Sequence, residues 1–316
     1  ERLQPLGHLS GVLDQRLSGA LGISRPNWLQ NWLQRLCQSS NPTGTDLMRE
    51  RFYHSFRQRR HDMTVPITGD RYRRVPYPIT DNLDGNALHQ GLRNMGIPAD
   101  TPFVCLIARD SAYLEASWGS AGHHGFRDSD IQNYVLAAEE LAERGYFVIR
   151  MGAKVNEAIK SSHPKVIDYA TNGTRSDFMD IYLGAKCDLC VTSGCGFDCV
   201  PLIFRRPIAS ANIVPVEFLW TAGVQLTSIT RHHYSVQKGR ELTLKEIFKH
   251  GAGTYASTSD YESAGIRLIE NTPEEIRDLV VENVERLNGT WQPQGGDEEL
   301  QRRFWEIYHR RAWWNY

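Results

Sequence analysis

From Thr101 onward, short unbroken apolar runs alternate with stretches of helical period, and this alternation constrains the fold more than any other feature of the chain. Phe103-Val104-Cys105-Leu106-Ile107-Ala108 carries no polar side chain, as expected of a strand covered on both faces. Ile131, Tyr134, Val135, Ala138, Leu141 and Ala142 then recur at helical spacing, and Gly145 ends that helix. Tyr146 to Met151 reads as a second strand, Val155 to Ser161 as helical, and Val166 to Tyr169 as a short third strand. Ser176 caps a helix through Ala185, and Leu189 to Thr192 is another buried strand. Gly196 to Phe204 suggests a helix interrupted at Pro201, and Ile208 to Ala211 a further strand. Thr243-x-x-Glu246 and Thr272-x-x-Glu275 both fit the capping box, the second with Pro273 at the first helical position. Strands and helices alternating at this length imply an α/β fold, with a parallel sheet covered by helices on both faces.

The rest of the chain differs in texture. Residues 1–95 are irregular and Arg-rich. They contain one Trp/Leu-rich helical stretch from Pro26 to Cys37, a basic segment from Arg49 to Arg60, and an extended linker around Val75-Pro76-Tyr77-Pro78. The basic segment reads more simply as a solvated helix face than as a contact for an anionic partner. Residues 96–292 hold the regular pattern. Residues 293–316 read as an amphipathic helix, with Phe304, Trp305, Tyr308, Trp313 and Trp314 among arginines. Its simplest role is to pack on another domain; interfacial membrane contact is the sharper alternative.

Composition removes several classes. With 36 Lys+Arg against 37 Asp+Glu, the net charge of −1 offers no whole-chain basic field for nucleic acid. The longest apolar runs fall far short of the roughly 20 residues that cross a bilayer. No leader pattern is evident, which points to the cytoplasm. Six cysteines make no disulfide scaffold. Cys187, Cys190, Cys195 and Cys199 crowd together, but only four residues separate the two pairs, poor spacing for zinc. No metal site is expected, and buried free thiols in a reducing compartment fit better.

In an open parallel sheet, ligands bind beyond the carboxyl ends of the strands. The first strand ends in Arg109-Asp110-Ser111, where an arginine can meet a phosphate bidentately or simply pair with Asp110 on the surface. Gly122-His123-His124-Gly125-Phe126-Arg127-Asp128-Ser129-Asp130 precedes the amphipathic helix. Ser129 with Gln132 makes a capping box there, and the helix start favours an anion beside Arg127 and the histidines. Thr192-Ser193-Gly194-Cys195-Gly196-Phe197 follows a buried strand, and its small residues allow close backbone approach to a phosphate; glycines that merely make the turn are the simpler reading. Arg175-Ser176-Asp177-Phe178-Met179-Asp180 puts polar groups at another helix start, where Asp180 could receive a sugar or ribose hydroxyl. His163 looks like a turn residue, and His232-His233 lies in a polar stretch expected to be exposed. No G-x-S-x-G elbow and no H-E-x-x-H occurs, so binding and orientation must do much of the work.

His124-Gly125-Phe126-Arg127-Asp128-Ser129-Asp130, Arg150-Met151-Gly152, Arg175 to Leu183 and the Ser193-Gly194-x-Gly196 turn through Val200-Pro201 and Arg206-Pro207 occur in an order that resembles a family of bacterial glycosyltransferases associated with surface-polysaccharide gene clusters. The resemblance covers about residues 62 to 290. It implies a GT-B-like architecture: a Rossmann-type parallel-sheet donor domain over residues 96–292, preceded by a reduced or partial N-terminal, acceptor-side domain. A remoter similarity links Arg109-Asp110 and Asp188…Ser193 to the donor domains of fucosyltransferases, where the corresponding arginine engages the donor diphosphate.

The resemblance implies a metal-independent enzyme, without cofactor, that moves sugar from a nucleotide-sugar donor to a glycan or lipid-linked acceptor. It would act in the cytoplasm or peripherally at the inner membrane, the C-terminal helix being the candidate contact. Its donor-binding residues would be Arg109, Arg127, Arg150, Gly152, Ser176, Asp177, Asp180, Ser193, Gly194, Cys195 and Gly196. His124, Asp128 and Arg127 would be catalytic, with His124 or Asp128 as general base. Two other readings keep the same fold: a nucleotide-sugar epimerase, and a non-catalytic nucleotide- or carbohydrate-binding module.

Overall fold

The computed structural model describes residues 85–98, 100–119, 122–219 and 226–309. The helical stretch from Pro26, the basic segment 49–60, the linker near Pro76, and Trp313 and Trp314 lie outside the described residues.

Six strands form one parallel sheet: β1 (Phe103–Ile107), β2 (Phe147–Arg150), β3 (Val166–Ile167), β4 (Leu189–Thr192), β5 (Ile208–Ile213) and β6 (Leu226–Thr230). Their order is β3-β2-β1-β4-β5-β6, the doubly wound Rossmann arrangement. Every residue of β4 is buried and β1 is buried over Phe103–Leu106, which accounts for their lack of alternation.

Helices cover both faces. On one, Ala137, Ala138 and Leu141 of α3 (Val135–Glu143) and Ile276, Leu279, Val280 and Val284 of α8 (Pro273–Asn288) pack on Val104, Leu106, Leu189 and Val191. On the other, Leu92 of α1 (Gly85–Asn94), Met95 just after it, and Met179 and Leu183 of α4 (Asp177–Lys186) pack on Phe103, Cys105, Ile149 and Cys190. Between these lie α2 (Ala112–Trp118), in the β1–β2 crossover, and α5 (Cys199–Ile203), which follows a 3₁₀ turn at Gly196–Asp198. Pro201 is tolerated because it falls in the first turn of α5, where an N–H has no intrahelical partner anyway. Cys105, Cys187 and Cys190 are buried free thiols, while Cys195 and Cys199 are half-buried.

After β6 the chain builds a smaller antiparallel sheet, β8-β7-β9, from β7 (His232–Ser235), β8 (Arg240–Glu241) and β9 (Ile266–Ile269). With α6 (Leu244–Lys249), α7 (Thr258–Ser263) and α9 (Asp297–His309) it encloses a second core around Phe126, Phe248, Tyr261 and Tyr308. Phe304, Trp305 and Tyr308 of α9 thus turn into the protein, as the packing reading of that helix expects.

Four sequence expectations need correction. Residues 155–161 form no helix. The fully buried Arg150 takes the Glu157 carbonyl with Nη2 at 3.0 Å, and Asp168, its ion-pair partner, takes the Ile159 N–H at 3.0 Å. Side chains have captured backbone groups that a helix would have used. Ser129 is not the cap before α3: Asp130 accepts the Gln132 N–H at 2.8 Å and opens a 3₁₀ turn at Ile131–Tyr134. The small sheet was not anticipated, because β7 reads His-His-Tyr-Ser and neither face of it is apolar. His233, expected to be exposed, is buried there, and only His232 stays partly accessible.

Candidate functional site

The strand order reverses between β1 and β4, and a parallel sheet opens a crevice at that point. Ile107 is in register with Thr192, so Arg109 leaves the sheet beside Ser193 and Gly194. The Arg109 N–H donates to Ser193 Oγ at 2.7 Å, which stitches the two strand ends together.

The segment Gly122–Asp130 arches over this junction. Its Gly122–Arg127 part is a 3₁₀ turn, and Phe126 anchors it in the second core. Arg109 Nη1 donates to the His124 carbonyl at 3.1 Å and pairs with Asp128, not with Asp110. Arg127 Nη2 donates to the Gly194 carbonyl at 2.8 Å. Arginines from two separate segments therefore meet at the switch point. Asp110 instead accepts the N–H groups of Ala112 and Asn156, at 3.0 and 2.9 Å.

Sequence reasoning missed a third arginine. Arg231, the residue between β6 and β7, is buried; its Nη2 donates to the Asp128 carbonyl and, at 3.3 Å, to Ser129 Oγ. Glu270 lies 3.4 Å from it and accepts from the Asp130 N–H at 3.1 Å and from Asn133 Nδ2 at 3.2 Å. No motif marks Arg231, and only the fold brings it to the loop, 103 residues back along the chain at Asp128.

Electrostatics follow from burial. Desolvation lifts the Asp128 carboxyl above its ordinary value, against the pull of Arg109, Arg231 and Arg127. Burial likewise pushes Asp198 up to about 6, although Thr192 Oγ1 donates to it at 2.6 Å and the Cys195 N–H at 3.0 Å. Asp198 thereby shapes the Gly-rich turn from below. Gly194 sits at φ +81, and a Cβ there would come 3.1 Å from Ile213 Cδ1, so the turn needs glycine at that place.

That turn was expected to hold phosphate through backbone N–H groups, but three of them are already engaged. Ser193 N–H donates to the Ile107 carbonyl, Gly194 N–H to Thr192 Oγ1 and Cys195 N–H to Asp198. The donors best placed for an anion are the arginines.

The other predicted residues lie elsewhere along the carboxyl edge. Gly152 follows β2, and a Cβ on it would stand 2.5 Å from Val155 Cγ1. Arg150 is committed to Asp168 and the loop. Ser176 caps α4 by accepting the Met179 N–H at 3.2 Å, while Asp177 and Asp180 both pair with Arg175. This group follows β3, two strands and about 10 Å from β1. A cavity of about 360 Å³ opens beside it, lined in part by Tyr169, Thr174, Ser176 and Phe178. Among the described residues, no group of three or more His, Cys, Asp and Glu side chains is arranged to hold a metal ion. No helix among them is long and apolar enough to cross a membrane.

No family model matches the sequence, and no curated protein sequence matches it. Among solved structures the chain is similar to the ADP-heptose LPS heptosyltransferase II of E. coli, with 13% identity and a TM-score of 0.34. The match covers 63% of this chain and 52% of that one, so this chain spans about half the length of that transferase. A likeness of that size assigns no activity, and the Rossmann assignment rests on the strand order itself.

Proposed function

We propose that this chain is a nucleotide-sugar glycosyltransferase, its Rossmann-type domain acting as the donor half of a GT-B-like enzyme. The observation that carries the reading is the convergence of Arg109 and Arg127, from different segments, on the crevice between β1 and β4. Guanidinium groups there would neutralise the diphosphate as it departs, the task a metal performs in other folds. The acceptor hydroxyl attacks the anomeric carbon, the bond from that carbon to the phosphate oxygen breaks, and the nucleoside diphosphate leaves with the electron pair. The hydroxyl proton passes to His124 or Asp128, both on the arching loop. Asp177 and Asp180, which pair with Arg175 further along the same edge, would accept from donor hydroxyls. The acceptor is a glycan or lipid-linked glycan of a bacterial surface polysaccharide, in keeping with the family that the motifs resemble.

The test incubates the protein with UDP-, GDP-, ADP- and CMP-sugars, with and without glycan acceptors. Transfer or slow donor hydrolysis is expected, and Arg127→Ala should lower turnover by roughly a hundredfold or more. Unchanged turnover in Arg127→Ala would remove that arginine from the site. Isomerisation of donor alone would favour an epimerase, and binding without turnover under any acceptor a non-catalytic module.

A further inference from the structure

The charges at the switch point nearly cancel as they stand. Arg109, Arg127 and Arg231 face Asp110, Asp128 and Glu270, and Asp198 lies buried beneath the Gly-rich turn. A diphosphate arriving here meets arginines that already have carboxylate neighbours. Of the Arg109–Asp128 pair, the acid is the more exposed, at 27% against 11% for the arginine. The carboxylate therefore lies on the solvent side of the guanidinium that an anion would seek.

Asp128 is also held in place without its carboxylate. Its N–H donates to the Gly125 carbonyl at 3.0 Å, its carbonyl accepts from Arg231, and the next N–H, of Ser129, donates to the Arg109 carbonyl at 2.8 Å. The side chain can turn while the loop stays put. Gly125 lies between the two side chains. Among the described residues outside its own turn, the atoms nearest a Cβ placed on that glycine would be Thr258 Oγ1 at 3.9 Å and Asp128 Oδ2 at 4.0 Å. Thr258 Oγ1 is buried and has no hydrogen-bond partner among the described residues, which is unusual for a hydroxyl. It is not the cap of α7, since Ser257 and Asp260 form that capping box themselves.

We propose that Asp128 is an internal stand-in for phosphate, which yields Arg109 to a nucleoside diphosphate and swings across the Gly125 gap to the Thr258 hydroxyl. The unpaired hydroxyl is the waiting donor for the displaced carboxylate, and the gap left by Gly125 is the path. Breaking a partly exposed ion pair is cheap, and the carboxylate regains a hydrogen bond at its new position. The inference rests on the glycosyltransferase reading only in its ligand.

Isothermal titration of the wild-type chain with UDP, GDP, ADP and inorganic diphosphate tests it against three variants. Asp128→Asn keeps the shape but removes the competing charge, so binding should tighten about three- to fivefold. Thr258→Val removes the landing hydroxyl, and binding should weaken by roughly threefold. In the double variant the Thr258→Val effect should vanish, because there is no carboxylate left to receive. Additive effects, or weaker binding by Asp128→Asn with circular dichroism unchanged, overturn the exchange while leaving the glycosyltransferase reading in place. Absence of binding by wild type and all variants alike overturns both.

Discussion

Asp198 shows how a single buried group sets the behaviour of a turn. At 8% exposure it accepts from Thr192, from the Cys195 N–H and from the Cys195 thiol, so the carboxylate holds both ends of the Ser193–Gly194 bend. Burial outweighs those donors and raises its folded value to about 6, from 3.8 for the exposed group. The folded protein therefore binds this proton more tightly than the unfolded chain does. The stability involved is fully present below pH 3.8 and is lost as pH rises through 6. The stability difference between wild type and Asp198→Asn should accordingly move in favour of wild type as pH falls from about 7 to 5, by an amount on the order of 1 kcal/mol. Urea denaturation at both pH values measures this; a difference independent of pH would show that the carboxyl is not shifted. None of this was legible from the local sequence. Asp198 follows Gly-Phe in a glycine-rich run, where an acid is most simply a solvated helix-start residue, and its burial appears only once the turn folds back on the end of β4.

The elements around the site were the most legible part of the chain. Continuous apolar runs gave β1, β2 and β4, and the boxes at Thr243 and Thr272 stand where their spacing put them. What escaped were elements whose pattern is set by partners far along the chain. The loop 155–161 looked helical because its own residues permit a helix, whereas Arg150 and Asp168 dictate otherwise. β7 looked like a loop because His233 and Ser235 are buried polar residues. One close approach couples an element to the site. A Cβ on Gly184 of α4 would lie 2.8 Å from Val200 Cγ1 and 3.0 Å from Phe197 Cζ, the segment that follows the Gly-rich turn. Gly184→Ala should destabilise the fold by about 1–3 kcal/mol and also weaken diphosphate binding, since relief requires that segment to move. Leu141→Ala, in α3 on the opposite face, should cost more, about 2–5 kcal/mol, yet leave affinity unchanged. Thermal denaturation paired with titration separates the two; equal loss of affinity in both would deny any special link between α4 and the turn.

At the scale of the whole molecule, two cores meet along a polar seam. The sheet with its helices forms one, and the small sheet with α6, α7 and α9 the other. Arg231 and Glu270 lie between them and hold the arching loop from that side. Arg231→Met should lower stability by about 1–3 kcal/mol, a range reduced because Glu270 retains some solvent. Adding Glu270→Gln should recover part of that loss by removing the unpaired charge, and a double-mutant cycle in urea reads the coupling. Simple additivity would mean that the two side chains act independently. The sequence led to the expectation of arginines at strand ends; Arg109 lies just beyond β1, while Arg127 reaches the Gly194 carbonyl from the arching loop. It gave no sign of the second core, because Phe126, Tyr261 and Tyr308 share no period and meet only after the chain has folded back.

The change from parallel to antiparallel sheet takes a single residue, because β6 ends at Thr230 and β7 begins at His232. That residue is Arg231, whose guanidinium grips the loop over the crevice. Any tilt of the small sheet must bend the chain here and again between β9 and α8, and so drag the guanidinium with it. The orientation of one core and the height of the loop above the other are thus geared together, and a partner that leaned on the small sheet would be felt as a wider or narrower mouth at the site.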